Sequence, residues 1–191
     1  IKSGGFFGCD SLQKIVIPEG VTYIRRSAFM GCTALRKITI PSSVTKIERS
    51  AFYGCESLEE VIISKGVRSI EGSAFEFCKS LKRVVIPSSV TSIESSAFSS
   101  CESLCELVIP SSVTAIGSCA FAYCRSLHEI VIPEGFTEIS QSAFCRCYGL
   151  QKLVITSNAT DIMPYAFKEC NYLEFVHLPA GLSNIAINSF E

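Results

Sequence analysis

Cysteine and histidine are the side chains with the chemistry to bind a metal or attack a carbonyl, and their spacing decides what they can do. The chain has 191 residues and eleven cysteines. Eight of these, Cys9, Cys32, Cys55, Cys78, Cys101, Cys124, Cys147 and Cys170, stand 23 residues apart. Disulfide frameworks belong to small secreted domains that are short of core, and a chain that is 48% apolar is not. A zinc site brings two ligands close in sequence, as in Cys-x₂₋₄-Cys. Cys101 with Cys105 and Cys145 with Cys147 come nearest, and neither pair has a histidine within its own repeat. The even interval points instead to a column of buried free thiols, each a small hydrophobe whose S–H serves a turn carbonyl. Cys105, Cys119 and Cys145 lie off that register, in slots that elsewhere hold Glu59, Ser96 or Lys168. They are expected to be at least partly exposed.

The histidines are His128 and His177. A catalytic Cys–His pair needs one of them beside a thiol. His128 stands one period after Cys105, so the two can approach, but Gln13, Arg36, Glu59, Lys82, Gln151 and Glu174 share that slot. A chance alignment explains it. There is no glycine-rich phosphate loop, no G-x-S-x-G and no carboxylate pair beyond those the period places on the surface. The sequence thus assigns no catalytic residue, no metal ligand and no cofactor. Asn158-Ala159-Thr160 is a glycosylation acceptor triplet, meaningful only in a secreted eukaryotic protein.

The elements that position these groups follow from the same interval. Phe6, Phe29, Phe52, Phe75, Phe98, Phe121, Phe144, Phe167 and Phe190 keep the 23-residue step, and so does leucine from Leu12 to Leu173. A fixed period of this size marks a solenoid or a propeller, because one unit cannot bury its own apolar side. In each repeat a short alternating, β-branched segment such as Arg83-Val84-Val85-Ile86 reads as a strand. Proline follows at Pro18, Pro41, Pro87, Pro110, Pro133 and Pro179, ending the strand and turning a corner. Val-Thr-x-Ile then reads as a second strand. The next stretch, as in Glu48 to Cys55, has no period of two and is expected to form a turn with a helical or 3₁₀ piece whose phenylalanine plugs the core. Ser64-Lys65-Gly66 and Thr156-Ser157-Asn158 replace the proline turn. Because Ala159 also fills the usual Val slot, the coil near Asp161 to Pro164 is expected to be the least regular.

The fold class is therefore a mainly β, right-handed solenoid of short parallel strands. Residues 1–191 are read as a single domain of about eight repeats, with both ends cut inside a repeat. Neither end looks like the polar cap a solenoid needs, so the chain is expected to be a piece of something longer, its targeting segment outside the sequence. A net charge of −1 with scattered signs argues against nucleic acid as a partner. No apolar run approaches the roughly 18 residues that span a bilayer.

The pattern Leu-x-x-Ile-x-Ile-Pro-x-x-Val-x-x-Ile-x-x-x-Ala-Phe-x-x-Cys, seen from Leu35 to Cys55, resembles the BspA-like (treponemal-type) leucine-rich repeats. The asparagine slot of commoner leucine-rich repeats holds Gly20, Ser43, Gly66, Ser89, Ser112, Gly135 and Gly181, with only Asn158 fitting. The resemblance implies a non-enzymatic adhesion or protein-binding module, cell-surface or secreted, with its sheet on the concave side.

Along the first strand, inward Ile15 and Ile17 leave Lys14 and Val16 outward. Stacking then makes an outward column of Val16, Thr39, Ile62, Val85, Val108, Val131, Val154 and His177. A second column, Lys14, Lys37, Glu60, Arg83, Glu106, Glu129, Lys152 and Phe175, runs beside it. Such a stripe is either ordinary β-propensity or a binding surface with a charged border. The residues expected to contact a protein or glycan partner, a host or matrix component among them, are Glu60, Ile62, Arg83, Val85, Glu106, Val108, Glu129 and Val131. The rival reading is a spacer or stalk that projects another domain.

Overall fold

The computed structural model describes residues 1–156 and 161–191. Asn158-Ala159-Thr160 therefore lies outside the described residues. The chain winds as a parallel β-solenoid, each turn after the first contributing two short strands in chain order; the strand expected at Lys14 to Ile17 does not form. The second-strand series is β1 (Tyr23–Ile24), β3 (Lys46–Ile47), β5 (Ser69–Ile70), β7 (Ser92–Ile93), β9 (Ala115–Ile116), β11 (Glu138–Ile139), β13 (Asp161–Ile162) and β15 (Asn184–Ile185). Alternating with it are β2 (Lys37–Ile40), β4 (Glu60–Ile63), β6 (Arg83–Val85), β8 (Glu106–Leu107), β10 (Glu129–Ile132), β12 (Lys152–Ile155) and β14 (Phe175–His177). Pairing is parallel and shifted by one period, as in Ile38↔Val61 and Ile47↔Ile70.

β-branched residues alternate with polar ones along the first strand, so one set turns inward and the other outward. Ile38 and Ile40 in β2 are buried while Lys37 and Thr39 are exposed. The inward set joins four further columns, the alanine, phenylalanine, cysteine and leucine of each repeat, in one core. The seven column phenylalanines from Phe29 to Phe167 are fully buried. Neighbouring rings in the column lie 5.0–5.5 Å apart and nearly parallel over most of its length. Phe6 is only partly covered and Phe190 is exposed, each having a ring on one side only.

The corner before each cysteine contains no helix, which corrects the expectation of a helical or 3₁₀ piece. In the coil around Phe52, the N–H groups of Ala51, Tyr53 and Cys55 donate three residues back, to the carbonyls of Glu48, Ser50 and Phe52. The intervening N–H groups of Ser50, Phe52 and Gly54 leave the coil and donate to Gly72, Ala74 and Glu76 of the next one. A helix would spend consecutive donors on its own turn; here every second donor staples two coils together. The geometry requires left-handed backbone at two positions per corner, as at Ser50 (φ 57°) and Gly54 (φ 69°). Both recur each period, at Ser27, Ser73, Ser96, Cys119, Ser142 and Tyr165, and at Phe77, Ser100, Tyr123, Arg146 and Glu169.

Two irregularities differ from expectation. β13 at Asp161–Ile162 pairs with both β11 and β15, so the coil there is regular in its described part. The interruption lies earlier. β8 does not pair with β10, nor β9 with β11, so both sheets break at the same coil boundary. The Val slot, filled by Val44, Val67, Val90 and Val113, holds Phe136 here, and its ring is buried. A phenyl group takes more of a close-packed core than a valine does, and it stands at the boundary where the pairing stops.

Candidate functional site

The outward face of the first strands is where the expected contact residues meet. Glu60, Arg83 and Glu106 follow one another in register on β4, β6 and β8, and Ile62 pairs with Val85 beside them. Glu129 and Val131 belong to β10, across the interruption. Val85 is 38% exposed, Val131 43% and Val108 78%, while Ile62 is half-buried. Their inward neighbours Val61, Val84 and Ile130 are buried.

The charged column is paired along itself. Lys37 bridges Glu60, Arg83 bridges Glu106 at 3.4 Å, and Lys152 bridges Glu129 at 2.7 Å. One period sets like positions about a strand spacing apart, so alternating signs neutralise one another within the column. Exposed pairs of this kind add little stability. They do leave the stripe beside them as the unpaired, dehydratable part of the face.

The thiols behave as their spacing predicts, with one correction. The Sγ of Cys32, Cys55, Cys78, Cys101, Cys124, Cys147 and Cys170 each lies within hydrogen-bonding reach of the phenylalanine carbonyl 26 residues back, at 3.1–3.4 Å. Burial pushes the thiols of Cys32, Cys124 and Cys170 up to about 12, and those of Cys78, Cys101 and Cys147 well above the ordinary range. Cys9, expected to be inaccessible with them, is exposed. Cys105 is exposed, and Cys119 and Cys145 are partly so.

Cys105 and His128 do come together, lining one cleft of about 530 Å³ with Leu107, Val108, Ile109 and Val131. The Cys105 thiol already donates to the Lys82 carbonyl at 3.6 Å. Among the described residues no group of three or more His, Cys, Asp or Glu side chains is placed to hold a metal ion. No helix is long and apolar enough to cross a membrane.

A polar cluster on the corner side escaped the sequence reading. The Arg146 guanidinium donates to Tyr123 Oη at 2.8 Å and to Glu169 at 3.0 Å, and Tyr148 Oη donates to Glu169 at 3.3 Å. The Arg146 hydrogen bond holds the Glu169 carboxyl below its usual range. The signal in the sequence was faint: bulky polar residues at Tyr123, Arg146 and Glu169 in a slot that earlier repeats give to Gly8, Gly31 and Gly54.

With the geometry in place, likeness to known proteins decides the family. Residues 1–125 and 91–191 match the BspA-type leucine-rich repeat region, in six copies. The chain belongs to the BspA-type leucine-rich repeat family. A leucine-rich repeat protein of T. pallidum shares 34% identity and a TM-score of 0.78, over 83% of this chain and 77% of its own. A leucine-rich repeat protein from Bacteroides ovatus shares 27% identity and a TM-score of 0.72, over 99% of this chain and 60% of its own. A leucine-rich cell surface protein from Faecalibacterium prausnitzii shares 26% identity and a TM-score of 0.59, over 99% of this chain and 73% of its own. No curated protein matches the chain. Leucine-rich repeat proteins are in general protein-interaction modules without enzymatic activity, and this BspA-type chain is similar to them along its whole length.

Proposed function

We propose that this chain is a non-enzymatic binding module at the cell surface that holds a protein partner on its first-strand face. The observation that carries the reading is the uneven solvation of that face: Val85, Val108 and Val131 stand exposed while the charges beside them pair among themselves. An interface gains most from a dehydrated apolar centre, and this stripe offers one without breaking an ion pair. A glycan would ask for more hydrogen-bonding groups than the valine column supplies, which favours protein. The surface location rests on the F. prausnitzii relative, described as a cell surface protein. A spacer role keeps one point in its favour, the near-constancy of the valine column from coil to coil.

Val85→Glu with Val108→Glu puts two carboxylates in the centre and leaves the inward side chains in place. Stability should fall little, though charges on adjacent strands repel. Calorimetric titration of an identified partner should show affinity about tenfold or more weaker for this double variant. A control carrying Ser50→Gly and Ser96→Gly, at left-handed positions where glycine is at ease, should bind as the wild type does. Equal loss in both variants, or none in the first, would favour the spacer.

A further inference from the structure

The charges on the first-strand face follow an order that is its own complement. From the first coil to the sixth, Lys14, Lys37, Glu60, Arg83, Glu106 and Glu129 give +, +, −, +, −, −. Reversing that order reverses every sign. The column is continuous on one face. Lys14 and Lys37 line one cleft, Lys37, Glu60, Arg83 and Glu106 follow in strand register, and Glu106 and Glu129 line another cleft. The side chains of Lys37, Arg83, Glu106 and Glu129 are each more than half exposed, so they are free to meet a second surface.

Consider a second copy laid face to face about a two-fold axis that runs along the strands between β4 and β6. That axis reverses the coil order and keeps each column opposite itself. Lys14 then meets Glu129 of the second copy, Lys37 meets Glu106, and Glu60 meets Arg83. The valine column matches too: Val16 meets Val131, Thr39 meets Val108 and Ile62 meets Val85, with no charge among them. On the other flank Glu59 meets Lys82, Arg36 meets Cys105 and Gln13 meets His128. Neighbouring registers fail. Sliding the second copy one coil in one direction sets Lys14 against Lys152, Glu60 against Glu106 and Arg83 against its own counterpart. Sliding it the other way sets Lys37 against Arg83 and Glu60 against its counterpart. Opposed like charges suppress a wrong register and opposed unlike charges fix the right one.

We propose that the partner of the first-strand face is a second copy of this chain, held in a two-fold dimer with reversed coil order and with Glu60 and Arg83 at its centre. The proposal rests on the reading of this face as a binding surface and names its occupant. A two-fold contact lets one patch serve both partners, as in most soluble dimers. The pairs within the column, Lys37 with Glu60 and Arg83 with Glu106, stay in place and each charge gains an opposite one across the interface. Six coils at strand spacing give a footprint of roughly 25 by 20 Å, about 500 Å² per copy, which is below a standard interface. The dimer therefore forms and dissociates readily.

Sedimentation equilibrium of the whole chain should show monomer and dimer in exchange, with the dimer weakened by added salt. Glu60→Arg sets the new arginine against Arg83, and Arg83→Glu sets the new glutamate against Glu60, so each variant alone should associate about tenfold or more weakly. Mixed one to one, the two variants restore both central pairs, and a dimer of one of each should return. Glu60→Arg mixed with Lys37→Glu carries the same net charges but leaves the new arginine against Arg83 and the new glutamate against Glu106, and should not dimerise. Carbodiimide coupling of the wild-type chain needs no variant. Lys14 and Glu129 stand five coils apart in one chain, about 24 Å, so a cross-link between them, found by peptide mass, joins two copies. A chain that stays monomeric, a first mixture no tighter than the second, or a dimer without the Lys14–Glu129 cross-link would each overturn the proposal. A monomeric chain that binds a different protein through Val85 and Val108 would overturn the dimer and keep the face reading; a dimer that survives Val85→Glu with Val108→Glu would place the contact elsewhere and remove both.

Discussion

At the scale of the residue, the cysteines separate into two chemical populations by position alone. The thiolate is the reactive form, and burial disfavours it while also denying access. With Cys32 pushed up to about 12, about one thiol in a thousand is ionised at pH 9. Alkylation of the native protein, counted by mass, should therefore stop at four adducts, Cys9, Cys105, Cys119 and Cys145. Raising the pH from 7 to 9 should recruit none of the seven buried ones. Labelling of Cys78 or Cys101 without unfolding would show that the column is open. The period made this column legible from sequence. Cys9 keeps the register and is nevertheless exposed, because register fixes the direction of a side chain and not what covers it.

At the scale of the element, the corner is where sequence reading failed, and the reason is physical. Left-handed backbone is most readily recognised by glycine, yet here it is carried by Ser50, Phe77, Tyr123, Arg146 and Glu169 as well as Gly54. Each residue is held by hydrogen bonds to two coils, so tertiary structure sets φ and side-chain preference does not. The turn at Ser64-Lys65-Gly66 shows the opposite dependence. Gly66 donates to the Ser64 carbonyl at 2.8 Å, and a Cβ there would stand 2.0 Å from the backbone oxygen of Ser42. Gly66→Ala should cost on the order of 1–3 kcal/mol, read as a lowered urea midpoint at unchanged m-value. An unchanged midpoint would mean that the two coils can part there freely. The break in strand pairing at the coil of Phe136 was missed for a related reason: one larger apolar residue keeps the apolar pattern intact.

At the scale of the whole molecule, each coil touches only its neighbours, so stability is a sum of coil terms and interfaces between them. A central phenylalanine contributes to two interfaces. Phe98 packs against Phe75 at 5.2 Å and Phe121 at 5.4 Å, fully buried. Phe98→Ala should cost about 3–5 kcal/mol and broaden the thermal transition, because the coils on either side are partly uncoupled. Phe190→Ala, at an end with one ring neighbour, should cost much less. Similar losses at the two sites, measured by calorimetry, would show that the stack does not carry the coupling. The overall solenoid was readable because the period repeats, whereas the proposed binding face depends on exposure and charge pairing that only stacked strands reveal.

The phenylalanine column also has a magnetic consequence. Nine rings lie face to face with interplanar angles of 1–15°, so each inner ring sits in the shielding cones of two others. Its aromatic protons resonate upfield of their usual position, while those of Phe6 and Phe190, shielded from one side, move less. The stack thus writes its own order into a proton spectrum, where any coil that loosens returns its ring's signals toward the values of a free side chain.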